Sequence, residues 1–338
     1  MPAERPVRLG VVGLGRFGRL HAQTIQHLSE GQLTALVTRR PEALVAVEAD
    51  FPGVPAFCDL EQAVTSGAAE AWIVACSTSD HVPVTRRLLQ AGATVLLEKP
   101  IANQLGEAQT LEPFVAADSR NLMLGHVVLF NSEFRQLCRE VSTLSPIQYL
   151  TAARHRPDSI PSQFPGENPL IATMVHDLYL VRALLDSAEP VGWQARYHRN
   201  QDGQLDLATA RLEFPGGRLA DLVASYLAPS GMAPRGFDRL EVFGSGWAAR
   251  LEPNPRPLQL WDTRARWPLA LEIQTSPDFA TGMLAEELRC FCRVVRGSQA
   301  VPAGATYADG LAIQRWMEWL AEDATNAEAL PKPTNAHD

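Results

Sequence analysis

The chain has 338 residues, and the hydrophobic share of 46% supports about two ordinary domains with sizeable cores and argues against disorder. It carries 38 acidic and 30 basic residues, and the resulting net charge of −8 excludes a uniformly basic surface for nucleic acid. No segment reaches the roughly 18 uncharged apolar residues of a membrane span, and the N-terminus lacks the apolar centre of a signal peptide. We expect a cytoplasmic protein with no nucleic-acid or membrane partner and with reduced cysteines.

The first part of the chain alternates apolar, β-rich runs with segments in which apolar residues recur at helical spacing. This alternation, in runs that carry few charges, indicates a parallel, doubly wound α/β sheet buried on both faces. We assign residues 1–124 to this domain. The predicted strands are Leu9–Val12, Leu33–Val37, Ala71–Ala75, Thr94–Leu97 and Leu122–Leu124.

The pattern changes after Gly125, where helices and antiparallel strand signals follow. Pro215, Gly216 and Gly217 separate two alternating runs and indicate a hairpin turn. We expect a C-terminal α+β domain with an open, mostly antiparallel sheet over residues 125–330, then a mobile tail over residues 331–338. The predicted helices are residues 133–144, 171–185, 283–296 and 308–324, and the predicted strands are residues 147–154, 204–214, 218–226, 239–243 and 248–251.

A glycine-rich loop follows the first predicted strand. Gly13 permits a tight turn, Gly15 leaves room for a pyrophosphate beside the backbone, and Gly18 lets the strand and the next helix pack closely. The N-terminal amides of that helix would face the anion. An ordinary glycine turn is the alternative, but the strand-to-helix context favours a dinucleotide-binding Rossmann domain. Arg16 and Phe17 complete the predicted cofactor loop.

The end of the second predicted strand bears on cofactor choice. An Asp or Glu at this point would hydrogen-bond the ribose 2′-hydroxyl of NAD, but the residues present are Thr38, Arg39 and Arg40. A hydroxyl and two guanidiniums suit a 2′-phosphate, because arginine offers bidentate, charge-assisted hydrogen bonds. Alternatively, the two arginines form a solvated turn. We expect NADP(H) to be favoured, with NAD(H) as the other candidate.

Further motifs follow the glycine loop in order: STSDH at residues 77–81, EKP at residues 98–100, LGHVVLFN at residues 124–131 and MVHDL at residues 174–178. Together with the loop they resemble the Gfo/Idh/MocA family of NAD(P)-dependent oxidoreductases, which act mostly on sugars, cyclitols and their derivatives. The resemblance extends over almost the whole chain. It implies hydride transfer between nicotinamide and a secondary alcohol or ketone of a small, sugar-like substrate.

The resemblance also implies roles for individual residues. Lys99 would lie beside the nicotinamide, and it ends an apolar strand, where ligands of open α/β sheets bind. A partly desolvated ammonium there could polarise a hydroxyl or shuttle its proton, whereas a surface pair with Glu98 is the alternative. His176 matches the family's catalytic histidine, although without the resemblance a packed helical histidine is the simpler interpretation. The implied cofactor contacts of these loops are Ser77, Thr78, His81, Glu98, Lys99 and Pro100, and in the family the Lys–Pro bond is often cis.

The chain departs from the family pattern around His176. The family's aspartate four residues before the histidine is Ala172 here, and the aspartate three residues after it is Tyr179. Asp177 cannot simply replace them, because adjacent helical residues point about 100° apart. Either the site still works, with Thr173 or Tyr179 assisting, or the protein is a catalytically weak or silent dinucleotide sensor. We favour the enzyme, because loss of one orienting carboxylate slows such sites without abolishing them.

Substrate contacts are predicted at four polar residues, Asn131, Arg154, Thr173 and Asp177. Arg154 could receive a carboxylate or phosphate, or it could belong to an edge of solvated charge. Asn131 and Asp177 suit sugar hydroxyls. No metal is expected, because the histidines, cysteines and acids show no ligand spacing. The open sheet has a second face that must be covered, which favours a homodimer or homotetramer.

Overall fold

The structure of the protein is a computed structural model that describes residues 5–163, 166–229, 231–232, 236–254, 260–261, 265–266 and 280–329. The chain folds as two compact units. The first unit comprises Met1–Arg135 and Leu271–Gln314, and the second comprises Gln136–Ala270 and Arg315–Asp338. Within the described ranges, no helix is both long enough and apolar enough to cross a membrane.

The first unit contains a six-stranded parallel sheet. Its strands are β1 (Val7–Val12), β2 (Gly31–Val37), β3 (Ala56–Phe57), β4 (Ala71–Val74), β5 (Thr94–Glu98) and β6 (Leu122–Gly125). The strand order is β3-β2-β1-β4-β5-β6, and every neighbouring pair is parallel. All of β4 is buried, as expected when both faces of a parallel sheet are covered. The predicted doubly wound sheet is confirmed, and β1 and β4 flank the point where its winding reverses.

The second unit contains a mixed sheet that is mostly antiparallel. Its strands are β7 (Ile147–Pro157), β8 (Gly192–Arg199), β9 (Leu205–Phe214), β10 (Arg218–Ala228), β11 (Phe237–Gly244) and β12 (Trp247–Asn254), and a separate pair is formed by β13 (Leu260–Trp261) and β14 (Ala265–Arg266). The order is β12-β11-β7-β10-β9-β8, in which β7 and β10 are parallel and the other neighbours are antiparallel. The predicted hairpin is the β9–β10 turn, where Gly216 and Gly217 have φ of 81° and 75°. The predicted α+β class is confirmed.

The helices occur in both units. They are α1 (Arg16–Gln26), α2 (Leu44–Asp50), α3 (Leu60–Thr65), α4 (Thr78–Gln90), α5 (Leu105–Gln109), α6 (Ser132–Val141), α7 (Ile160–Gln163), α8 (Val175–Leu184), α9 (Gly282–Val295) and α10 (Tyr307–Ala329). Three of the four helices predicted after residue 125 correspond to α6, α9 and α10, with ends that differ by a few residues.

The two faces of the second sheet differ in polarity. Along β9, Ala208, Ala210 and Leu212 are buried on one face, which we call the inner face, and the residues between them are exposed on the outer face. Within the second unit, Trp316 of α10 packs edge-on against the inner-face residue Phe214, with ring centroids 5.8 Å apart, and the segment Leu170–Met174 also contacts β9 and β10. This alternation explains why the strand could be recognised from the sequence.

The segment before α8 differs from the prediction. A continuous helix over residues 171–185 was expected, but Leu170–Met174 forms a π-helical turn and α8 begins only at Val175. Ile171, the first member of the predicted apolar repeat, is 47% exposed. The π-helical i→i+5 hydrogen bonds widen the turn, so a 3.6-residue period does not continue across it. Such turns are frequent at functional sites.

Other differences concern short or polar segments and the unit boundary. β3 has two residues, and β8 buries only Ala195, so neither offers a clear apolar pattern. The predicted boundary at residue 124 does not coincide with the compact units, because residues 125–135 belong to the first unit and α9 packs back against α1 and β2. The predicted mobile tail at residues 331–338 lies outside the described residues.

Candidate functional site

The glycine loop joins β1 to α1 and exposes the backbone at its tip. Gly13 has φ of 91°, and its N–H donates to the carbonyl oxygen of Val37 over 2.9 Å. A Cβ on Gly13 would lie 2.4 Å from the Cα of Cys76, and a Cβ on Gly18 would lie 1.8 Å from the Gly13 carbonyl oxygen. On Gly15, a Cβ would meet no described atom within 4 Å. Packing therefore requires two of the glycines, whereas Gly15 borders the open space that a pyrophosphate needs at the start of α1.

The first turn of α1 adds a cation and an aromatic ring to this loop. Arg16 is exposed and follows Gly15 directly, so its guanidinium is available to an anion near the loop. Phe17 is half-buried and packs edge-on against the ring of His21, with centroids 5.2 Å apart. A dinucleotide thus fits the loop in both shape and charge.

The residues predicted to choose between NAD and NADP lie after β2. Thr38 is buried, and its hydroxyl oxygen lies 3.4 Å from the backbone N–H of Arg40. Arg39 is 74% exposed and forms an ion pair with Asp80 over 2.8 Å, while Ser77 donates to the same carboxylate. An exposed pair of this kind contributes at most about 1 kcal/mol, so it does not hold Arg39 firmly. The two arginines, and not Thr38, are therefore accessible to a phosphate.

His81 connects the loop after β4 to the turn after β5. It is buried, and its ring nitrogens lie 2.7 Å from the Pro100 carbonyl oxygen and 3.2 Å from the Cys76 carbonyl oxygen. The Lys99–Pro100 bond is cis, as the resemblance implied. Because both ring nitrogens of His81 face backbone carbonyls, this residue positions the two loops, and its contact with cofactor stays a prediction. Thr78, which begins α4, is half-buried.

Lys99 lies at the carboxyl edge of the parallel sheet, directly after β5. It is half-buried, and its backbone N–H donates to Oε2 of Glu98 over 3.3 Å. The chain has 30 basic residues, of which only Lys99 and Lys332 are lysines. Arginine supplies positive charge almost everywhere else, and a lysine ammonium, unlike a guanidinium, can release its proton in proteins.

In the second unit, His176 lies in the first turn of α8 beside a buried ion-pair network. His176 is half-buried, whereas Asp177 is buried and accepts hydrogen bonds from Arg154, the shortest of them 2.7 Å from Nη2. Arg154 also donates to Asp238 over 3.1 Å, and Arg156 binds the same carboxylate. This network ties the start of α8 to β7 and β11.

Arg154 and Asp177 were predicted to contact substrate, and the structure places them differently. Arg154 is only 5% exposed, and its guanidinium is held by Asp177 and Asp238. Burial alone would lower the pKa of Arg154, but the two carboxylates outweigh it and the net shift is upward. These residues therefore anchor a helix and do not form an edge of solvated charge, and their contact with substrate stays a prediction.

The other two predicted substrate residues are also buried. In the first unit, Oδ1 of Asn131 accepts the backbone N–H of Phe134 over 2.8 Å, which caps α6. In the second unit, Thr173 lies in the π-helical turn, and burial raises the pKa of Tyr226 to about 12 although Thr173 opposes the shift. Asn131 thus has a structural partner, and contact of Asn131 and Thr173 with substrate stays a prediction.

The structure also brings together residues that sequence reasoning missed. Within the first unit, three buried residues come close together: His21, Glu98 and Glu287. One ring nitrogen of the histidine and one carboxyl oxygen of each glutamate all lie within 4.8 Å of one another, close enough to hold a metal ion or to share a proton. They come from α1, β5 and α9, far apart in the chain. Separation of this kind leaves no spacing motif, although a charged residue among the apolar residues of α9 was a signal that could have drawn attention.

These observations define a class of protein. The parallel sheet has the strand order 3-2-1-4-5-6, and its first strand is followed by a glycine loop. Packing requires glycine at Gly13 and Gly18, and the space beside Gly15 is open, so the domain is a Rossmann domain of the nicotinamide-dinucleotide type. Comparison with known families agrees. Residues 7–126 match the family described as "Oxidoreductase family, NAD-binding Rossmann fold", and residues 121–249 match the family described as "GFO/IDH/MocA C-terminal domain". The chain belongs to the Gfo/Idh/MocA family and is an oxidoreductase, as predicted, and the matched N-terminal family is an NAD-binding one.

Similar proteins include dehydrogenases of cyclitols and sugars. An inositol 2-dehydrogenase of Leifsonia xyli is 29% identical over 93% of this chain and 91% of its own. A UDP-N-acetylglucosamine 3-dehydrogenase of Acidithiobacillus ferrooxidans is 31% identical over 65% of this chain and 67% of its own. A scyllo-inositol dehydrogenase structure from Lactobacillus casei, determined with NAD(H) and scyllo-inositol, shares the fold with a TM-score of 0.81, 20% identity and coverage of 96% and 98%.

Proposed function

We propose that the protein catalyses reversible oxidation of a secondary alcohol on a sugar, cyclitol or related polyol. The observation that carries this proposal is the glycine loop, whose open tip at Gly15 suits a dinucleotide, on the same sheet edge as Lys99. The relatives named inositol 2-dehydrogenase and UDP-N-acetylglucosamine 3-dehydrogenase support a CH–OH substrate. When bound, the dinucleotide supplies or accepts the hydride.

Lys99 and His176 are assigned the proton chemistry. An alcohol that loses hydride must also lose its hydroxyl proton, and in the reverse direction a carbonyl oxygen must be polarised and protonated. The ammonium of Lys99 polarises the substrate oxygen and shuttles its proton, and the imidazole of His176 exchanges that proton, because histidine titrates near neutral pH. Each of these steps needs only this chain's own residues and the substrate oxygen.

A panel of sugars and inositols tests the reaction. We expect nicotinamide absorbance to change with at least one member, and Lys99→Ala to lower turnover at least about a hundredfold. Lys99→Arg keeps the positive charge but cannot exchange a proton at neutral pH, so it should lose comparable turnover. Binding of dinucleotide without any absorbance change across the panel would contradict the enzyme and support a sensor. Unchanged turnover in Lys99→Ala would contradict the role of Lys99.

We also propose that NADP(H) is preferred over NAD(H). Arg39 and Arg40 are both exposed after β2, and the weak pair of Arg39 with Asp80 can be exchanged for a 2′-phosphate. Calorimetric titration with both dinucleotides measures the preference. Tighter binding of NADP(H) that is lost in Arg39→Ala with Arg40→Ala is expected. Tighter binding of NAD(H) that is unaffected by these substitutions would contradict the preference.

An oligomer built through the outer face of the second sheet is a further part of the proposal. This face carries the ion pair of Arg211 with Asp221 and the half-exposed ring of Phe243 stacked on Tyr149. Light scattering should give a dimer or tetramer, which Val223→Glu on this face dissociates and Val45→Glu on exposed α2 does not. A particle of only 37.0 kDa at micromolar concentration would contradict it. Cytoplasmic location, expected from the sequence, is likewise proposed and is tested by cell fractionation.

A further inference from the structure

The cluster of His21, Glu98 and Glu287 places two carboxyl groups close together inside the first unit. One ligand atom of each residue lies within 4.8 Å of the others, and the side chains of His21 and Glu287 are fully buried. Two ionised carboxylates at this separation, away from water, repel each other and lose their hydration. One of them must be neutralised.

The hydrogen-bond donors around the cluster favour ionised Glu98. Its Oε1 lies 2.8 Å from Nε2 of His21, and its Oε2 accepts the backbone N–H of Lys99 over 3.3 Å. Neither oxygen of Glu287 has a hydrogen-bond partner of normal geometry among the described residues, and the donor nearest to acting on it is the backbone amide of His126. Hydrogen bonds to a carboxylate stabilise its charged form, so the charge belongs on Glu98.

We propose that Glu287 holds a proton at neutral pH and that this neutral acid keeps Glu98, and with it the Lys99 backbone, in position. The cluster then carries one carboxylate instead of two. Burial and, after it, the negative charge of Glu98 raise the pKa of Glu287 well above its usual value, and the backbone amide of His126 opposes the shift only in part. Glu287 is therefore a positioning residue, and only its link to catalysis through Lys99 rests on the proposed function.

A bound metal ion is the other way to neutralise the cluster, and the geometry disfavours it. An ionised Glu98 can only accept hydrogen bonds, so Nε2 of His21 must carry the hydrogen of the 2.8 Å contact. A protonated nitrogen is not a metal ligand. A metal would have to break this hydrogen bond, whereas a proton on Glu287 leaves it intact.

The groups that face Glu287 come from three elements besides α9: His21 on α1, Glu98 on β5 and the amide of His126 after β6. On α9 itself, the neighbouring Glu286 is 37% exposed and pairs with Arg289 over 2.7 Å. Glu286→Gln therefore provides a matched control, because it removes an exposed, ionised carboxylate one position away from the buried one.

Infrared spectroscopy of the full chain tests the proton directly. A neutral carboxylic acid has a carbonyl band separate from the carboxylate and amide bands, and the band shifts in D2O. We expect such a band at pH 7 in the wild type and in Glu286→Gln, and its loss in Glu287→Gln. If Glu287→Gln does not fold, ¹³C-glutamate labelling of the wild type should move the band. A band that survives Glu287→Gln, or that labelling does not move, would overturn the proposal.

The pH dependence of stability gives a second readout. A carboxyl whose pKa is raised on folding stabilises the protein below its unfolded pKa of about 4.3, and this stability is lost as the pH rises through the folded pKa. The wild type should therefore lose stability relative to Glu287→Gln as the pH rises above about 4.3, with the slope of one proton. Parallel curves for the two proteins would overturn the proposal.

Kinetics connect the proton to Lys99. Ionisation of Glu287 at high pH adds a second negative charge beside Glu98, so kcat/KM of the wild type should fall there, and Glu287→Gln should lack this fall while Glu286→Gln retains it. An equimolar metal in the wild type that is absent from Glu287→Gln would overturn the proposal. The infrared and unfolding measurements do not require activity. If both support the proton on Glu287 but the protein oxidises no polyol, the proposed function is refuted and the proposal for Glu287 is not.

Discussion

Replacement of Arg154 by methionine tests whether the buried ion-pair network anchors α8. Methionine retains an apolar stem of similar length but removes the charge and all the donors, which leaves the buried Asp177 carboxylate without its hydrogen bonds from Arg154. Breaking a buried ion pair by removing one partner costs about 3–5 kcal/mol. Asp238 keeps the guanidinium of Arg156, so the loss falls on Asp177 and we expect about 3–5 kcal/mol in total.

Thermal unfolding of the full chain measures this loss. For a unit of about 150–250 residues, 1 kcal/mol corresponds to about 2–4 °C, so the transition of the second unit should fall by about 6–20 °C. Dinucleotide affinity should not change, because the glycine loop belongs to the first unit. Turnover should fall, because His176 follows the turn that the network holds.

Arg199→Met is the matched control. Arg199 also makes two hydrogen bonds to a carboxylate, 2.8 and 3.1 Å from Glu328, but with 47% exposure. We expect its loss to cost about 0.2–1 kcal/mol. Arg154→Met combined with Asp177→Leu should recover part of the stability, because no buried charge is then left unpaired. Equal effects of Arg154→Met and Arg199→Met, or a raised KM with unchanged stability, would refute the anchoring role and restore Arg154 as a substrate contact.

Three further outcomes follow from the geometry. Gly15→Val should leave the fold intact, because open space surrounds that position, but weaken dinucleotide binding by at least about tenfold in calorimetry, whereas Gly18→Ala should lower the melting temperature of the first unit. Ala172→Asp should give no gain in turnover, because the π-helical turn breaks the spacing of one α-turn before the histidine, and a clear gain would contradict this. Burial raises the pKa of the Cys76 and Cys138 thiols to about 11, so maleimide should label both slowly in the native protein at pH 7 and rapidly after unfolding.

Much of the fold could be predicted because local patterns agree with it. Five strands of the first sheet contain uncharged apolar runs, and the β9–β10 hairpin combines alternating burial with two glycines at positive φ. β8 could not be predicted, because its residues are mostly exposed and give no apolar pattern. It is a strand because its backbone pairs with β9, and that pairing leaves no signal in the local sequence. The π-helical turn was hidden for a different reason, since no residue type in LIATM marks a change from i→i+4 to i→i+5 hydrogen bonding.

For the candidate site, the sequence predicted residues whose role follows from backbone geometry and missed those whose role depends on distant partners. The glycines and the cis Lys99–Pro100 bond lie within single motifs. Arg154, by contrast, could be read from the sequence either as an anion-binding arginine or as part of a solvated edge. Only the fold reveals its partners, because Asp177 lies on α8 and Asp238 lies on β11. Glu287 shows the same limit, because its charge state depends on Glu98, which lies nearly two hundred residues earlier in the chain.

The loss of the family's aspartate at Ala172 does not leave α8 without a charged anchor. Asp177, the residue after His176, is fixed by three hydrogen bonds to Arg154, and Arg154 is fixed in turn by Asp238. Because adjacent helical residues point about 100° apart, this carboxylate restrains the backbone of α8 instead of the imidazole itself. The position of His176 can therefore be well defined although the family's aspartate is absent from position 172. A dehydrogenase with such a site should have an ordinary KM for its polyol and a lowered kcat. A sensor would show no turnover at all, so this kinetic pattern separates a slowed dehydrogenase from a sensor.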